Sequence, residues 1–347
     1  MNSNRSSIIN SMKDLQLVEH QLDDGYIIHK TLGKGVYGHV QLATHRRTCF
    51  TVALKSVHKD RTKLKDFLRE FHYNYFLSPH RNILTCYQVA FQTPDAFVYA
   101  QEIARFGDLT QLMKGNELEE NKAKSIIQQV SSAMDFMHSK ELVHRDIKPQ
   151  NILVFQENEL FVKLTDFGLT CAAGTLVKKS NTCPSNSPPE VFNAIFNEGY
   201  HVETPSDSWQ LAMLIYYCLK TYLPWEKAEI TDSNYTEFLK WQKRKVQRTP
   251  KYFKSFSARL NRLFRKMLEP KPGKRAPVTE VFKYLNDRWL SSDNGGISKS
   301  DSSKSNKESK NEDNGLENML AKFGVDISVD RMTKKKRVQD WVLSMSE

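Results

Sequence analysis

Two short motifs in the middle of the chain constrain its fold more than any other feature. The first is the run His144-Arg145-Asp146-Ile147-Lys148-Pro149-Gln150-Asn151, and the second is Asp166-Phe167-Gly168, which follows after a short apolar stretch. Asn151 and Asp166 supply the amide and carboxylate oxygens that suit Mg²⁺. A fold that uses both motifs must bring these two polar segments together around one metal ion.

A glycine-rich turn lies upstream, between two strand-like segments. Gly33, Gly35 and Gly38 recur in the sequence Gly33-Lys34-Gly35-Val36-Tyr37-Gly38. Because glycine has no Cβ, the backbone of such a turn can approach phosphate groups closely and point its N–H groups at them. Taken alone, the turn is more typical of an ordinary glycine-rich hairpin.

The segment Val52-Ala53-Leu54-Lys55 places a lysine at the end of an apolar strand. A buried lysine requires a compensating partner. Glu70, in the helix predicted to follow, is the best candidate for that partner. Three neighbouring cations offer Glu70 an alternative partner on the surface: Lys63, Lys65 and Arg69.

Hydrophobic patterns divide the chain into a strand-rich part and a helical part. Alternating and β-branched residues predict strands at 26–28, 40–42, 50–54 and 97–100. Phe67, Phe71 and Tyr75 recur every four residues and predict a helix over Leu64–Leu77, while a weaker helical pattern covers 14–19. After Gly107 the pattern predicts helices over 121–138, 206–220 and 256–268. The expected fold class is α+β, with a small antiparallel β-lobe that carries one helix and a larger helical lobe.

Composition sets the limits of this two-lobed domain. We expect an N-terminal extension over residues 1–22 and the domain itself over 23–290. A linker over 291–315 is expected to be disordered because it is rich in Ser, Asn, Lys, Asp and Gly. Residues 316–347 regain apolar side chains, which favours a short helix in the tail. The tail cluster Lys334-Lys335-Lys336-Arg337 fits a solvated end, a nuclear-import signal or part of a docking helix.

The chain is basic, with a formal net charge of +11, and residues 291–347 contribute none of that excess. A basic domain favours acidic peptides or nucleic acid as partners. No basic stripe interleaved with aromatic residues marks a nucleic-acid site, however. We therefore interpret the excess as scattered, solvated lysines, with no clear nucleic-acid site.

Cysteine usage and hydropathy indicate the cellular compartment of such a chain. The five cysteines include no C-x-x-C pair, so neither a disulfide framework nor a zinc site is indicated. This usage fits a reducing, intracellular compartment. The longest apolar run, 211–219, is too short to span a bilayer. We expect a cytoplasmic protein without a membrane partner, and nuclear localisation is the alternative.

The four motifs come in an order and at spacings that resemble eukaryotic protein kinases over residues 23–290. Pro188-Pro189-Glu190 resembles the family's Ala-Pro-Glu, and Asp207 resembles the aspartate that supports the catalytic loop. Arg275 resembles the arginine that pairs with the glutamate of that motif, here Glu190. Four segments resemble the SBK (SH3-binding-domain kinase) branch of serine/threonine kinases: 62–70, 134–138, 223–226 and 238–242.

The resemblance implies roles for the charged residues of these motifs. Lys55 would bind the α- and β-phosphates of ATP while paired with Glu70. Asp146 would orient the substrate hydroxyl and accept its proton, and Lys148 would neutralise charge on the γ-phosphate. The metal ligands for Mg²⁺ would be Asn151 and Asp166.

The resemblance also implies the residues that bind the rest of ATP. They are Leu32, Gly33, Gly35, Gly38, Val40, Ala53, Lys55, Glu102, Ile103, Asp108 and Leu153. Ala53 and Leu153 would enclose adenine. Asp108 would meet the ribose hydroxyls, or would instead cap the helix that follows it. His144 is not a candidate base, and we expect it to pack beneath Phe167.

Lys148 after Asp146 is similar to the serine/threonine pattern. The expected activity is therefore transfer of the γ-phosphate of ATP to Ser or Thr hydroxyls of protein substrates. Cys183 stands where such kinases usually have threonine, and Asn186 replaces the usual aromatic residue. These departures leave a nucleotide-binding pseudokinase or scaffold as the alternative. All twelve prolines lie at or before Pro277, so the tail has no P-x-x-P motif and we expect no SH3-domain partner there.

Overall fold

The computed structural model of the chain describes residues 17–179, 183–195 and 199–291, which fold into two compact units. Unit 1 contains the described residues up to Pro79 and the segment Leu84–Arg105. Unit 2 contains His80–Ile83 and the described residues from Phe106 onward. The predicted linker beyond residue 291, the tail at 316–347 and the first sixteen residues of the predicted extension lie outside the described residues.

Unit 1 is a five-stranded antiparallel sheet with one long helix. Its elements are α1 (Leu22–Gly25), β1 (Tyr26–Lys34), β2 (Gly38–His45), β3 (Thr51–His58), α2 (Leu64–Leu77), β4 (Cys86–Gln92) and β5 (Ala96–Gln101). The strand order is β1-β2-β3-β5-β4, and all neighbours are antiparallel. The prediction of a small antiparallel lobe with one long helix is therefore confirmed.

Helix α2 begins and ends where the sequence pattern predicts, and its aromatic residues attach it to the sheet. Phe67 and Phe71 are buried against Phe97 and Tyr99, and the ring centroids of Phe67 and Phe97 are 5.1 Å apart. Tyr75 remains 41% exposed. Each step of four residues turns a helix by about 40°, so two steps carry Tyr75 away from the face that Phe67 occupies.

Unit 2 is mostly helical. Its helices are α3 (Leu109–Met113), α4 (Glu120–His138), α5 (Pro189–Phe192), α6 (Pro205–Lys220), α7 (Ser233–Gln242) and α8 (Ala258–Met267), with 3₁₀ turns at Pro149–Asn151, Lys251–Phe253, Pro272–Lys274 and Val278–Tyr284. Short strands pair as β6 (Leu142–Val143) with β9 (Cys171–Ala172), β7 (Ile152–Gln156) with β8 (Phe161–Leu164), and β10 (Leu176–Lys178) with β11 (Gly199–His201). No helix among the described residues is both long and apolar enough to cross a membrane.

Helix α6 runs through the centre of unit 2. Every residue from 206 to 216 is buried, and a helix that is buried on all sides must lie inside a core. Pro205 occupies its first turn, where the fixed φ of proline suits a helix start. The consequence concerns Asp207 and Gln210, because polar side chains at such positions require hydrogen-bond partners.

Local predictions differ from the structure at several points. The helix predicted over 256–268 begins at Ala258, because Ser257 caps it by accepting a hydrogen bond from the Leu260 backbone N–H at 3.1 Å. At the end of the weak helical pattern over 14–19, Glu19 instead forms a parallel bridge with Gln92 at the edge of the sheet; residues 14–16 lie outside the described residues. Strand β4 was not predicted.

Candidate active site

Unit 1 carries the predicted lysine–glutamate pair. Lys55 Nζ lies 2.6 Å from Glu70 Oε1, and the two side chains are 22% and 11% exposed. Tyr99 donates its hydroxyl hydrogen to the same Glu70 oxygen at 2.8 Å. Burial, together with the Glu70 charge, raises the pKa of Tyr99 well above its ordinary value, so this donor stays protonated. The pairing of Lys55 with Glu70 is confirmed.

The alternative was that Glu70 pairs with a cation on the surface of its own helix. Arg69, the nearest of these cations in the sequence, pairs with a different carboxylate. Arg69 lies 3.1 Å from Asp66 on the same helix, between Nη1 and Oδ1. Glu70 lies on the side of α2 that faces the sheet, because its neighbours on that helix, Phe67 and Phe71, are buried against the sheet. A residue adjacent to Phe71 and three positions after Phe67 lies on or beside their face of the helix.

The glycine-rich turn joins β1 to β2. Gly35 donates its backbone N–H to the Gly38 carbonyl oxygen at 2.8 Å, which closes the turn. A Cβ at Gly38 would collide with the backbone oxygen of Ser56, so packing alone explains this glycine. A Cβ at Gly33 would meet no heavy atom within 4 Å. The protein's own packing therefore does not explain Gly33, and a close approach by a phosphate remains a prediction for it.

The remaining nucleotide-binding candidates of unit 1 lie on β1, β2 and β3 and in the segment that follows β5. Ala53 is 3% exposed on β3 and opposes Gln101. Three others are half-buried: Leu32, Val40 and Ile103. Glu102 accepts a hydrogen bond from the Thr85 backbone N–H through its side chain. The carboxylate of Glu102 thus fixes the position of the backbone at Thr85.

In unit 2, the structure brings together three of the predicted catalytic and metal residues. Lys148 Nζ lies 2.7 Å from Asp146 Oδ2, and Asn151 Nδ2 lies 2.9 Å from the same oxygen. Asn151 also donates to the Asp146 carbonyl oxygen at 2.8 Å. The amide nitrogen of Asn151 is thus committed to Asp146, which leaves its carbonyl oxygen as the atom suited to a cation. This donor set fits a hard ion such as Mg²⁺.

Asp166 and Arg145 have unusual backbone conformations. Their φ angles are +67° and +73°, in the left-handed region that is costly for residues with a Cβ. The residue after Asp166, Phe167, is fully buried, and its ring lies 5.2 Å from the ring of His144 in an edge-to-face arrangement. The prediction that His144 packs against Phe167 is confirmed.

Three buried side chains fix the backbone around Asp146. Asp207 accepts the backbone N–H groups of His144 and Arg145, each at 2.8 Å. Gln210 accepts the Ile147 N–H and donates to the Arg145 carbonyl oxygen, both at 2.9 Å. Asn186 donates to the Ile147 carbonyl oxygen at 2.8 Å. Backbone groups on both sides of Asp146 therefore have fixed partners, which we call the loop clamp (Asp207, Gln210 and Asn186).

Asp207 is ionised within the loop clamp although it is fully buried. Burial alone raises the pKa of a carboxyl group. The hydrogen bond and charge of His138, with Nε2 at 2.9 Å from Oδ2, the charge of His144 and the Arg145 N–H together outweigh burial and hold the pKa of Asp207 below its ordinary value of 3.8. The prediction that Asp207 supports the loop carrying Asp146 is confirmed by its hydrogen bonds to His144 and Arg145.

The sequence motifs did not reveal Gln210 or the contact made by Asn186. Gln210 lies three residues after Asp207 on α6, so both side chains project from one face toward the same loop. A buried glutamine beside that aspartate was the available signal. Asn186 was noted only as a departure from the family, whereas its amide bonds the loop that carries Asp146.

The predicted ion pair of Glu190 with Arg275 is present. Arg275 Nη1 and Nη2 lie 2.8 and 2.9 Å from the two Glu190 oxygens. The Arg275 side chain is fully buried and also lies over the Trp209 ring, 5.1 Å from its centroid. Glu190 itself belongs to the short helix α5, so this pair connects α5 to the core around α6.

Asp108 and Leu153 complete the set of predicted residues. Asp108 caps α3, because its Oδ1 accepts the Gln111 backbone N–H at 3.0 Å. Thr110 also donates to the same oxygen. The capping role of Asp108 is confirmed, and contact with a ribose stays a prediction. Leu153 is half-buried on β7 between two buried neighbours, Ile152 and Val154, so it projects from the opposite face of that strand.

Comparison with known proteins gives the family that the sequence motifs resemble. The model for the protein kinase domain matches residues 26–290. The chain is 41% identical over 355 residues to serine/threonine-protein kinase meng-po of Drosophila melanogaster, covering 96% of this chain and 77% of that protein. It is 41% identical over 267 residues to serine/threonine-protein kinase SBK1 of Danio rerio, covering 76% and 69%. For serine/threonine-protein kinase SBK2 of Homo sapiens the identity is 32% over 278 residues, covering 79% and 80%.

The chain therefore belongs to the protein kinase family. Within that family it is a member of the SBK branch of serine/threonine-protein kinases. The resemblance drawn from its motifs, and the two-lobed kinase fold expected from it, are confirmed.

Proposed function

We propose that Asp146 is the residue through which this chain transfers the γ-phosphate of ATP to serine and threonine hydroxyls of proteins. The observation that carries the proposal is the cluster at the Asp146 carboxylate, where Lys148 and Asn151 lie 2.7 and 2.9 Å from Oδ2. Phosphoryl transfer depends on positioning more than on basicity. A carboxylate fixed by two side-chain donors, on a backbone fixed by the loop clamp, is suited to orient a hydroxyl.

The transfer moves one proton and one phosphoryl group. The substrate hydroxyl gives its proton to Asp146 while its oxygen forms a bond to the γ-phosphorus and the bond to the leaving β-phosphate oxygen breaks. Lys148, whose side chain is 38% exposed, offsets negative charge on the transferred group. Asn151 and Asp166 would hold Mg²⁺, which when bound neutralises charge on the phosphates.

We assign nucleotide binding to the residues that the family resemblance implied. Lys55 would contact the α- and β-phosphates, and its pairing with Glu70 supports this role because it fixes the ammonium group of this β3 residue. The glycine-rich turn would place backbone N–H groups against the phosphates. The base and ribose contacts would come from Leu32, Val40, Ala53, Glu102, Ile103, Asp108 and Leu153.

Replacement of Asp146 by asparagine tests the proposal. The variant Asp146→Asn keeps the size and the hydrogen-bonding shape of the side chain but removes the proton acceptor. We expect phosphate transfer to a generic protein substrate to fall by about 10²–10⁴-fold, with the melting temperature unchanged. The matched control is Asp135→Asn, an exposed aspartate of α4, which should retain wild-type turnover. Wild-type turnover by Asp146→Asn would contradict the assignment.

Two observations favour a second candidate, a nucleotide-binding pseudokinase or scaffold. Cys183 and Asn186 stand where serine/threonine kinases usually have threonine and an aromatic residue. The hydrogen bond from Asn186 to Ile147 supports the active enzyme instead, because it couples this segment to the catalytic loop. Binding of labelled ATP by the wild-type chain without any transfer, unaffected by Asp146→Asn, would favour the scaffold.

We also propose an intracellular location with protein substrates and no membrane partner. The support is that all five cysteines are free thiols, of which Cys86 and Cys218 are buried. Nuclear import through the basic cluster at 334–337 is the alternative, and that cluster lies outside the described residues. Localisation of the full chain, compared with a chain truncated after residue 292, tests this alternative.

A further inference from the structure

We propose that unit 2 carries a second substrate-binding surface, which recruits an acidic segment of the protein substrate. This surface, the basic surface, consists of the exposed side chains Lys240, Lys243, Arg244, Lys245, Arg248, Lys251, Lys254 and Arg262. The inference rests on the protein kinase activity proposed above, and it adds a recognition site outside the catalytic residues.

The charge excess of the chain is concentrated here. Residues 240–262 contain nine Lys and Arg and no Asp or Glu, whereas the whole chain has a net charge of +11. The interpretation of the excess as scattered lysines is therefore wrong. The one cation of this stretch with a carboxylate partner among the described residues is Arg259, which pairs with Asp287 at 2.7 Å. A field of one sign over a continuous stretch attracts a partner of the opposite sign.

Packing brings the parts of the basic surface together. The rings of Trp241 and Phe253 stack with centroids 5.7 Å apart, so the end of α7 lies against the turn Lys251–Phe253. Arg265 of α8 donates to the Trp241 carbonyl oxygen at 2.8 Å and covers the Trp241 ring. The loop after α7, this turn and α8 thus surround one aromatic centre and present their cations around it.

One member of the basic surface has a second cation close to it. Burial, followed by the positive charge of Arg244, lowers the pKa of Arg265. A carboxylate of a partner bound near Arg244 would offset the repulsion between these two cations.

A cavity lies next to the basic surface and to the segment that contacts the catalytic loop. Its volume is about 390 Å³, and both Ser185 and Tyr252 are among its lining residues. Tyr252 lies next to Lys251 of the basic surface, and Ser185 lies next to Asn186, which bonds Ile147 beside Asp146. A substrate with its hydroxyl at Asp146 can extend past Ser185 and across this cavity to the basic surface.

The chemistry of the surface favours an acidic polypeptide over nucleic acid or a bilayer. Within residues 240–262, Val246 at 38% is the one large apolar side chain that is exposed. Single-stranded nucleic acid is bound with the help of aromatic side chains that stack on bases, and none is exposed in this stretch. Membrane-surface helices bury an apolar face, which the stretch also lacks. The substrates of a protein kinase, in contrast, are polypeptides, so an acidic polypeptide fits both the charge of the surface and the activity.

A pair of peptides tests the proposal on the full-length chain. Both contain the same serine sequence, chosen from a peptide array, followed by a flexible linker; one ends in eight glutamates and the other in eight glutamines. At low salt we expect a KM about tenfold lower for the glutamate peptide, with kcat equal for both. The difference should shrink toward one at high salt, where surface charges are screened.

Two matched variants locate the effect. Lys243→Glu with Lys245→Glu changes the basic surface, and Lys114→Glu with Lys122→Glu changes the net charge by the same amount at other exposed positions of unit 2. We expect the first variant to lose most of the KM difference and the control to keep it. Both should turn over the glutamine peptide as the wild type does, which separates loss of docking from loss of catalysis.

A direct binding measurement tests the basic surface without relying on turnover. Fluorescence anisotropy of the labelled glutamate segment alone should give a Kd at least tenfold weaker for the basic-surface variant than for the control. Equal Kd values, or equal KM values for the two peptides with wild-type enzyme, would overturn the proposal. The proposal would also be overturned if the basic-surface variant lost binding to phosphatidylserine vesicles or to an RNA oligonucleotide while its KM for the peptides stayed unchanged. Absence of turnover on both peptides counts against the kinase activity, and the anisotropy result then decides the surface.

Discussion

The two units hold their candidate catalytic groups in different ways. In unit 1, Lys55 pairs with the carboxylate of Glu70, and both side chains retain some exposure. In unit 2, Asp146 lies on a loop whose backbone is bonded by three buried side chains, the loop clamp. A buried backbone group without a partner costs far more than an ion pair that water can replace. For the residues that hold the catalytic groups in place, function and stability should therefore be separable in unit 1 and coupled in unit 2.

Asp207→Ala should produce the largest loss of stability. The substitution removes the acceptor of two buried backbone N–H groups and leaves His138 without its carboxylate partner. Removing one partner of a buried charged cluster costs about 3–5 kcal/mol. We expect that loss in the free energy of unfolding by chemical denaturation, and a value below about 1 kcal/mol would show that the loop does not depend on Asp207.

The acid dependence of stability gives a second measurement on Asp207. Because its folded-state pKa lies below 3.8, its contribution is fully present above pH 3.8 and is lost as pH falls through the folded-state value. The wild type should therefore lose stability in this acid range more steeply than Asp207→Asn, whose side chain has no proton to gain. Parallel acid titrations of the two proteins would contradict the role of the ionised form.

Arg275→Ala extends the comparison to a second buried pair of unit 2. The Arg275 side chain is fully buried, and it bonds both oxygens of Glu190. Its removal leaves the Glu190 carboxylate with the Ser206 hydroxyl at 3.3 Å but without the arginine, which should cost about 3 kcal/mol and lower the melting temperature by several degrees. Arg259→Ala is the control, since its pair with Asp287 is half exposed and should cost less than about 1 kcal/mol.

Gln210→Leu should reduce both stability and turnover, in an intermediate range. The Arg145 carbonyl and the Ile147 N–H would lose their partners, at a cost of about 1–3 kcal/mol. If Gln210 positions Asp146, kcat should fall about tenfold or more while KM for ATP stays constant. Gln210→Glu keeps the acceptor for Ile147 and should recover part of kcat. A loss of stability with unchanged kcat would give Gln210 a structural role only.

Glu70→Gln should have the smallest effect on stability and still impair catalysis. The amide keeps the shape of the side chain and can still bond Tyr99 and Lys55. The expected change in the free energy of unfolding is below about 1 kcal/mol, measured by thermal unfolding. Phosphate transfer should nevertheless fall, since Lys55 loses the negative charge of Glu70. A stability loss equal to that of Asp207→Ala would remove the contrast between the units.

The parts of the site that were predictable are those that recur as motifs or as periodic patterns. The bounds of α2 followed from the spacing of Phe67 and Phe71, and the pairs Lys55–Glu70 and Glu190–Arg275 followed from motif spacing. Gln210 and Asn186 could not be found in this way, because a side chain that bonds the backbone of a distant loop leaves no local pattern. The basic surface was missed because charge was compared over two long segments only.

The left-handed conformations of Arg145 and Asp166 have a consequence for laboratory evolution. Each non-glycine residue held at such a φ angle costs about 1–2 kcal/mol. Glycine at Arg145 would relieve that strain but would also remove the hydrogen bonds from the guanidinium to the Leu169 carbonyl oxygen at 2.9 Å and to the Tyr200 hydroxyl at 3.2 Å. At Asp166 the side chain is a predicted metal ligand, so a screen that rewards heat resistance alone would favour glycine there and deliver proteins that survive heating without transferring phosphate.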